Sequence, residues 1–186
     1  MLDVGCHALD ILEYMLGAPL ENVHGDASAH GAYPAVAASV RVEDRVQVRA
    51  TATVATAVTA AGGASSATTV DCSWNFAADD ETADLFTISG TAGTLQLSCF
   101  GTEPIVLSLK NAKGEVTTQE FTFPKLEHVQ QPLVQLITDE LTSTGDAVSP
   151  SKADNAIRVA EVMDAALSRY YGGRDDEFWK RPIIPQ

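Results

Sequence analysis

The chain has 186 residues, 45% hydrophobic and 20% charged, which is enough for one globular domain with a substantial core. Its net charge of −13 argues against nucleic acid and membrane surfaces as partners, because both bind clustered lysine and arginine. No apolar run reaches the roughly 18 residues of a membrane span, and the N-terminus lacks the basic segment of a signal peptide. Cys6, Cys72 and Cys99 form no C-x-x-C pair, which favours free, buried thiols and a cytoplasmic location.

The first predicted element is a helix over residues 3–16, ended by Gly17 as a C-terminal cap and by Pro19. Period-two patterns rich in valine and threonine then predict a series of short strands. These strands are predicted at 20–30, within 40–60, and at 68–76, 84–90, 94–100, 104–110 and 115–123. The connections are predicted as a loop at 31–39, a flexible turn at 60–67 and tight turns at 91–94 and 111–114.

Two helices and an extended tail are predicted at the end of the chain. The helices are expected over residues 128–142 and 151–171, and Ser151 with Asp154 is a plausible capping box for the second. Its apolar stripe is predicted to be Ala153, Ala156, Ile157, Ala160, Met163, Leu167 and Tyr170. The element order predicts an α+β fold: a large, open, mostly antiparallel sheet with helices on one face. Strands 46–59 would place β-branched residues on the open face, where we expect a second copy to pack.

The polar residues of the first helix lie on one narrow face. At 100° per residue, Asp3, His7, Asp10 and Tyr14 fall within a wedge of about 60°. A carboxylate at i and an imidazole at i+4 can stabilise the protonated ring, which suits a general acid/base near neutral pH. Gly5 is a poor helix former, and its presence indicates close approach of another backbone or a ligand.

The simpler interpretation of this face is a solvated surface, as on any amphipathic helix. The absence of lysine, arginine and glutamine from the face favours a functional role. Other candidate sites are weaker. His24, His30 and His128 lack ligand spacing, so no metal site is predicted. Glu43 and Asp44 are expected to be solvated, and Arg158 is expected to pair with Glu161 or another acid.

Several motifs together indicate a family. D-V-G-C-H-A-L-D at 3–10 resembles the D-x-G-x-H-x-x-D helix of the glucose–fructose oxidoreductase / inositol dehydrogenase / MocA oxidoreductases. I-S-G-T-A-G-T-L-Q-L at 88–97 resembles the family's I-x-G-T-x-G hairpin. The stretches at 128–135 and 149–167 resemble its two C-terminal helices, and 170–182 is similar to the tail of a sugar- or diol-dehydrogenase-like branch. The resemblance covers nearly the whole chain.

The resemblance implies a role for the first helix. In the family, a C-terminal α/β domain binds the substrate and forms the dimer surface of an NAD(P)-dependent enzyme. By this match Asp3 and His7 fall on the catalytic carboxylate and histidine, and Asp10 falls where a substrate hydroxyl is often bound. His7 would exchange the proton of a substrate hydroxyl, and Asp3 would orient the ring. The implied substrate is a sugar, polyol or diol.

The sequence departs from the family pattern in lacking a dinucleotide-binding segment. It contains no G-x-G-x-x-G and no E-K-P lysine. We therefore expect residues 1–186 to form a single, N-terminally truncated C-terminal domain, one for substrate binding and oligomerisation. No cofactor-binding residue is assigned, and we expect neither NAD nor NADP to bind this chain tightly. The alternative is a non-catalytic dimerisation or ligand-binding module.

Overall fold

The computed structural model describes residues 3–29, 41–55, 65–78, 84–150 and 152–180. The chain divides into two compact units, Met1–Glu81 with Ala153–Gln186, and Thr82–Lys152. In chain order the described elements are one helix, seven strands and three helices. They are α1 (Gly5–Leu16), β1 (Glu21–Ser28), β2 (Arg45–Ala55), β3 (Ser65–Asn75), β4 (Phe86–Gly90), β5 (Gly93–Leu97), β6 (Ile105–Lys110), β7 (Val116–Phe121), α2 (Gln131–Leu141), α3 (Ala153–Tyr171) and α4 (Asp176–Trp179).

The first unit is built on an antiparallel sheet in the order β1-β2-β3. Side chains alternate between its two faces because successive strand residues point in opposite directions. On β2 the inward residues are small or β-branched and nearly inaccessible to solvent, with Val48 at 0% and Ala52 at 1% exposure. Arg45, Gln47, Arg49, Thr51 and Thr53 project from the opposite face, so the β-branched surface expected there is limited to the two threonines, and the valines Val46 and Val48 are buried on the other side.

Helix α3 packs against β1 of this sheet, and α1 packs against α3. The approach between α3 and β1 is close: a Cβ placed on Gly25 would lie 2.0 Å from the carbonyl oxygen of Ala166. Glycine is thus the residue that lets helix and strand backbones meet at this point. The buried apolar residues of the unit are Ala8, Leu9, Leu12, Ala18, Leu20, Val46, Val48, Ala50, Ala52, Val70, Val159, Val162, Met163, Ala166 and Leu167.

The second unit is a four-stranded antiparallel sheet in the order β4-β5-β6-β7, followed by α2. Its predicted tight turns are confirmed. Gly93 has φ +159° beside Ser108, and Gly114 has φ +85° in a turn where Asn111 Oδ1 accepts the N–H groups of Lys113 and Glu115. None of the described apolar side chains of this unit is buried.

The register of the second sheet separates apolar from polar side chains. Directly paired residues share a face, so Ile88, Leu95 and Leu107 lie side by side across three strands. The apolar face carries Phe86, Ile88, Leu95, Leu97, Ile105, Leu107, Leu109 and Phe121, together with the polar Thr117 and Gln119 of the edge strand β7. The other face is mainly polar, with Thr87, Ser89, Thr94, Gln96, Ser108, Lys110, Thr118 and Glu120, and it also carries Val106 and Val116.

The α+β class and its antiparallel pairing are confirmed, but the described strands form two sheets where the sequence suggested one. Period-two patterning identifies strands but does not show which strand edges pair with each other. In the second sheet every described pairing joins strands that are neighbours in sequence. The flexible turn predicted at 60–67 is partly wrong, because Ser65, Ser66 and Ala67 belong to β3. Residues 31–39 lie outside the described residues.

Two helical predictions also need correction. The buried stripe of α3 is Val159, Val162, Met163, Ala166 and Leu167, and Ile157 is 57% exposed. The contact of Ala166 with β1 sets this rotation of the helix. The tail is not wholly extended, because Asp175 caps the short helix α4 by accepting the Phe178 N–H at 3.0 Å. Ser151 of the predicted capping box lies outside the described residues.

Candidate functional site

Helix α1 brings three of the four predicted polar residues onto one face. His7, Asp10 and Tyr14 lie within about 60° of one another at helical spacing. His7 and Tyr14 are exposed and Asp10 is half-buried. The opposite side of the helix contains Ala8, Leu9 and Leu12, all 8% exposed or less. The face is therefore accessible to a ligand while the rest of the helix is anchored in the core.

Asp3 lies outside the helix that was predicted to begin with it. The helix starts at Gly5, which is buried, and Val4 at its N-terminal boundary has right-handed helical angles of φ −95° and ψ −39°. Asp3 occupies the preceding turn, is exposed, and accepts the Cys6 thiol at its backbone oxygen at 3.3 Å. Its carboxylate is thus attached to the N-terminal end of α1, before the residues that form the helical face.

A buried charged group that the sequence did not single out lies on the same helix. Glu13 is 5% exposed and accepts two hydrogen bonds. Its Oε1 accepts the backbone N–H of Leu20 at 2.9 Å, and its Oε2 accepts Nε of Arg158 at 3.1 Å. Glu13 therefore joins α1 to the residue before β1 and to α3 within the first unit. Arg158 was expected to pair with Glu161 or another acid, and the acid is Glu13.

Glu13 lies beside a small open cleft of about 170 Å³. Its lining residues are Glu13, Pro19, Leu20, Val23, Arg158, Glu161 and Val162. The helical wheel gives a weak indication that Glu13 is not part of the polar face, because it lies about 60° from the nearest member of that face. The sequence gives no indication of its partner, because Arg158 lies 145 residues further along the chain.

A second polar cluster ties the chain end to the segment before β2. The Tyr171 hydroxyl donates to the carboxylate of Glu43, and Arg41 Nη1 donates to the carbonyl of Phe178 at 2.8 Å. Burial raises the pKa of Tyr171 above its ordinary 10.0, and its hydrogen bond to Glu43 raises it further. Glu43 and Asp44 are 6% and 5% exposed, so the solvated patch expected there is wrong.

The second unit contains a carboxylate held by a loop. Asp84 accepts Ser98 Oγ at 2.5 Å and the N–H groups of Cys99 at 2.9 Å, Phe100 at 2.6 Å and Gly101 at 3.2 Å. Burial acts to raise the pKa of Asp84, but these hydrogen bonds together lower it below its ordinary 3.8. The arrangement is a structural clamp that closes the loop after β5.

The cysteines of the described residues are free thiols. Burial raises the pKa of Cys72 to about 11, with the charge of Asp71 as a second cause. Burial also raises the pKa of Cys99 to about 11, with a contribution from Asp84. A thiol with such a pKa is protonated at neutral pH and is a poor nucleophile or metal ligand.

The described residues do not fit a nicotinamide dinucleotide. Such a cofactor is held where a parallel strand leads through a glycine-rich turn into a helix. Every strand pairing in the described part of the chain is antiparallel. Within the same residues no three histidine, cysteine or acidic side chains converge on a metal position. No helix among them combines the length and apolarity needed to cross a membrane.

Comparison with known proteins gives one family. Residues 1–96 match the family model described as the GFO/IDH/MocA C-terminal domain. This range covers just over half of the chain and contains α1 with its polar face, the whole sheet of the first unit, and β4 with most of β5. A search of curated proteins gives no significant match.

Proposed function

The chain belongs to the GFO/IDH/MocA C-terminal domain family, and from this membership we propose that it is the substrate-binding part of an NAD(P)-dependent oxidoreductase. The family implies an oxidoreductase-type protein. Our proposal is narrower: the substrate is a sugar, polyol or diol whose hydroxyl-bearing carbon is oxidised, or whose carbonyl is reduced. His7 and Asp3 are the proposed catalytic residues, and Asp10 is the proposed substrate-binding residue.

The observation that carries the proposal is the exposed polar face of α1 inside the family-matched range. The His7 imidazole and the Asp10 carboxylate occupy one side of a helix whose other side is buried, and Asp3 lies in the turn before that helix. These are the groups that proton exchange with a hydroxyl requires: a group that is both donor and acceptor, and acceptors that orient it. Their anchoring on a packed helix supports a binding function rather than a loosely solvated surface.

Each residue has a distinct chemical task. The imidazole of His7 accepts the proton of the substrate hydroxyl during oxidation and returns it during reduction. Asp3 at the entry to α1 orients the imidazole ring. Asp10, one turn further along, accepts a hydrogen bond from a neighbouring hydroxyl of the substrate. The dinucleotide supplies hydride transfer, and we assign none of its binding to the described residues.

The test uses the complete gene product, including any coding sequence upstream of Met1, assayed for NAD(P)-linked turnover of sugars, polyols and diols. We expect the His7→Gln variant to lose about 10²-fold or more in kcat, the usual contribution of a general acid/base. His24→Gln is the matched control, because His24 is also exposed and lies on β1, outside α1. Equal turnover by His7→Gln and wild type contradicts the assignment of His7.

The same proposal includes a cytoplasmic location and a self-associated state. The free thiols of Cys6, Cys72 and Cys99 support a reducing compartment.

For self-association, the apolar face of the second sheet is the supporting observation. Leu109 and Phe121 on that face are 44% and 37% exposed. A sheet face that is apolar across β4, β5 and β6 is typical of an interface, and we propose that a second copy of the chain covers it.

Self-association is tested with two lysine substitutions on opposite faces of the sheet. Leu109→Lys places a charge on the apolar face, and Thr118→Lys places the same charge on the polar face. We expect Leu109→Lys to lower the molar mass measured by size-exclusion chromatography with light scattering, and Thr118→Lys to leave it unchanged. A monomeric wild-type chain at micromolar concentration contradicts this part of the proposal.

A further inference from the structure

The orientation of α1 depends on a charged group that lies outside the proposed active face. In helix α1 Glu13 is the one charged side chain that is buried. Its two carboxylate oxygens accept hydrogen bonds from two distant parts of the chain, the N–H of Leu20 just before β1 and Nε of Arg158 in α3. Glu13 is thus a buried polar anchor of this helix.

Hydrogen bonds fix the rotation of α1 about its own axis more tightly than apolar packing does. The burial of Leu9 and Leu12 is favourable in any orientation that keeps them from water, because the hydrophobic effect has no direction. A carboxylate bound at 2.9 Å and 3.1 Å to two donors loses both bonds if the helix turns. Glu13 lies about 120° around the helix from His7, so it acts on His7 through the rotation of the whole helix.

A small rotation has a large chemical effect at His7. Side chains extend about 5–6 Å from the helix axis, so a turn of about 10° displaces the imidazole by about 1 Å. A misplacement of about 1 Å can reduce a reaction rate by about 10²-fold. We propose that Glu13 and Arg158 are positioning residues that set the rotation of α1 and hence the location of the His7 imidazole. This inference rests on the proposed function, in which His7 exchanges the substrate proton.

The experiment compares conservative variants that leave the fold in place, as checked by circular dichroism. Glu13→Gln keeps an acceptor for the Leu20 N–H and removes the charge. Arg158→Lys keeps the charge and removes the guanidinium. Glu161→Gln is the matched control, because Glu161 lines the same cleft, is exposed, and also loses a charge. The readout is the side-chain NMR resonance of His7, identified among the four histidines by its absence from His7→Gln.

We expect Glu13→Gln and Arg158→Lys each to shift the His7 resonance by more than its linewidth, and the double variant to shift it no further than the larger single change. Non-additivity is the expected signature of two residues that act through one contact. Glu161→Gln should leave the resonance unmoved. An unmoved His7 resonance in both single variants, with or without a loss of thermal stability, overturns the proposal and indicates a purely structural ion pair. Additive shifts overturn it as well.

Kinetics of the complete protein separate this inference from the proposed function. If both hold, Glu13→Gln lowers kcat by about tenfold to a hundredfold and changes KM little, because the substrate still binds while the proton-transfer geometry is lost. Unchanged turnover in His7→Gln contradicts the function even where the NMR shifts are present. A strong loss in His7→Gln with unmoved NMR signals supports the function and overturns the positioning role.

Discussion

Gly25→Ala tests the contact that holds the first unit together. The added Cβ would lie 2.0 Å from the oxygen, 2.6 Å from the carbonyl carbon and 2.7 Å from the Cα of Ala166. All three are backbone atoms, so no rotamer change relieves the clash. Helix α3 must withdraw by about 1.4 Å before the shortest contact reaches an ordinary distance. Gly25 has no positive φ, so the effect is steric rather than conformational.

The magnitude follows from overpacking. Forcing a methyl group into a packed contact costs about 1–3 kcal/mol, and the gap left by the withdrawing helix removes part of the dispersion energy of the residues lining it. Those residues include Val48 and Ala166, which are almost fully buried. The lower entropy of the unfolded alanine variant offsets about 0.4–1 kcal/mol. We therefore expect the free energy of unfolding to fall by about 2 kcal/mol, which lowers Tm by about 4–8 °C in a chain of this size.

Tryptophan fluorescence is the appropriate assay, because both tryptophans, Trp74 and Trp179, belong to the first unit. The urea midpoint should fall with an unchanged slope. Gly90→Ala is the matched control: it adds the same methyl group to a strand glycine whose nearest neighbour is 3.9 Å away. Adding Ala166→Gly should not restore stability, since the clash is with backbone. A midpoint for Gly25→Ala equal to that of wild type refutes this reasoning.

Two further predictions concern the second unit and the thiols. Asp84→Asn should destabilise the loop that its carboxylate clamps by about 1–2 kcal/mol at pH 7, measured by thermal circular dichroism. Because the folded pKa of Asp84 is lowered, its contribution is present above the unfolded pKa and is lost as pH falls through the folded value, so wild type and variant should converge below about pH 4. Cys72 and Cys99, with pKa values of about 11, should react with iodoacetamide at pH 8 much more slowly than in urea; equal rates would argue against their burial.

Local patterns predicted the elements well, for identifiable reasons. The alternation of valine with charged residues at 45–49 identified β2, because a strand with one covered face requires that pattern. Gly93 and Gly114 identified turns, because their positive φ values disfavour other residues. The polar face of α1 followed from helical spacing alone. The helix begins two residues later than predicted, which is within the usual uncertainty of helix ends.

Features that depend on distant residues could not be predicted. Glu13 and Glu43 are charged residues, and their burial depends on Arg158 and Tyr171, which α3 brings to them. The division of the strands into two sheets depends on which edges meet, which the period-two pattern does not encode. The rotation of α3 depends on the small contact between Gly25 and Ala166 rather than on the largest apolar side chains.

The discontinuity of the first unit has a consequence for biosynthesis. Glu13 and Arg158 are 145 residues apart in sequence, and the whole second unit is translated between them. At about 5–20 residues per second, the ribosome takes roughly 7–29 seconds to deliver Arg158 after Glu13. During that interval the hairpins of the second unit can form from local contacts, whereas β1 awaits the helix that packs against it. Nascent chains stalled before α3 should therefore be the form most exposed to chaperones and proteases.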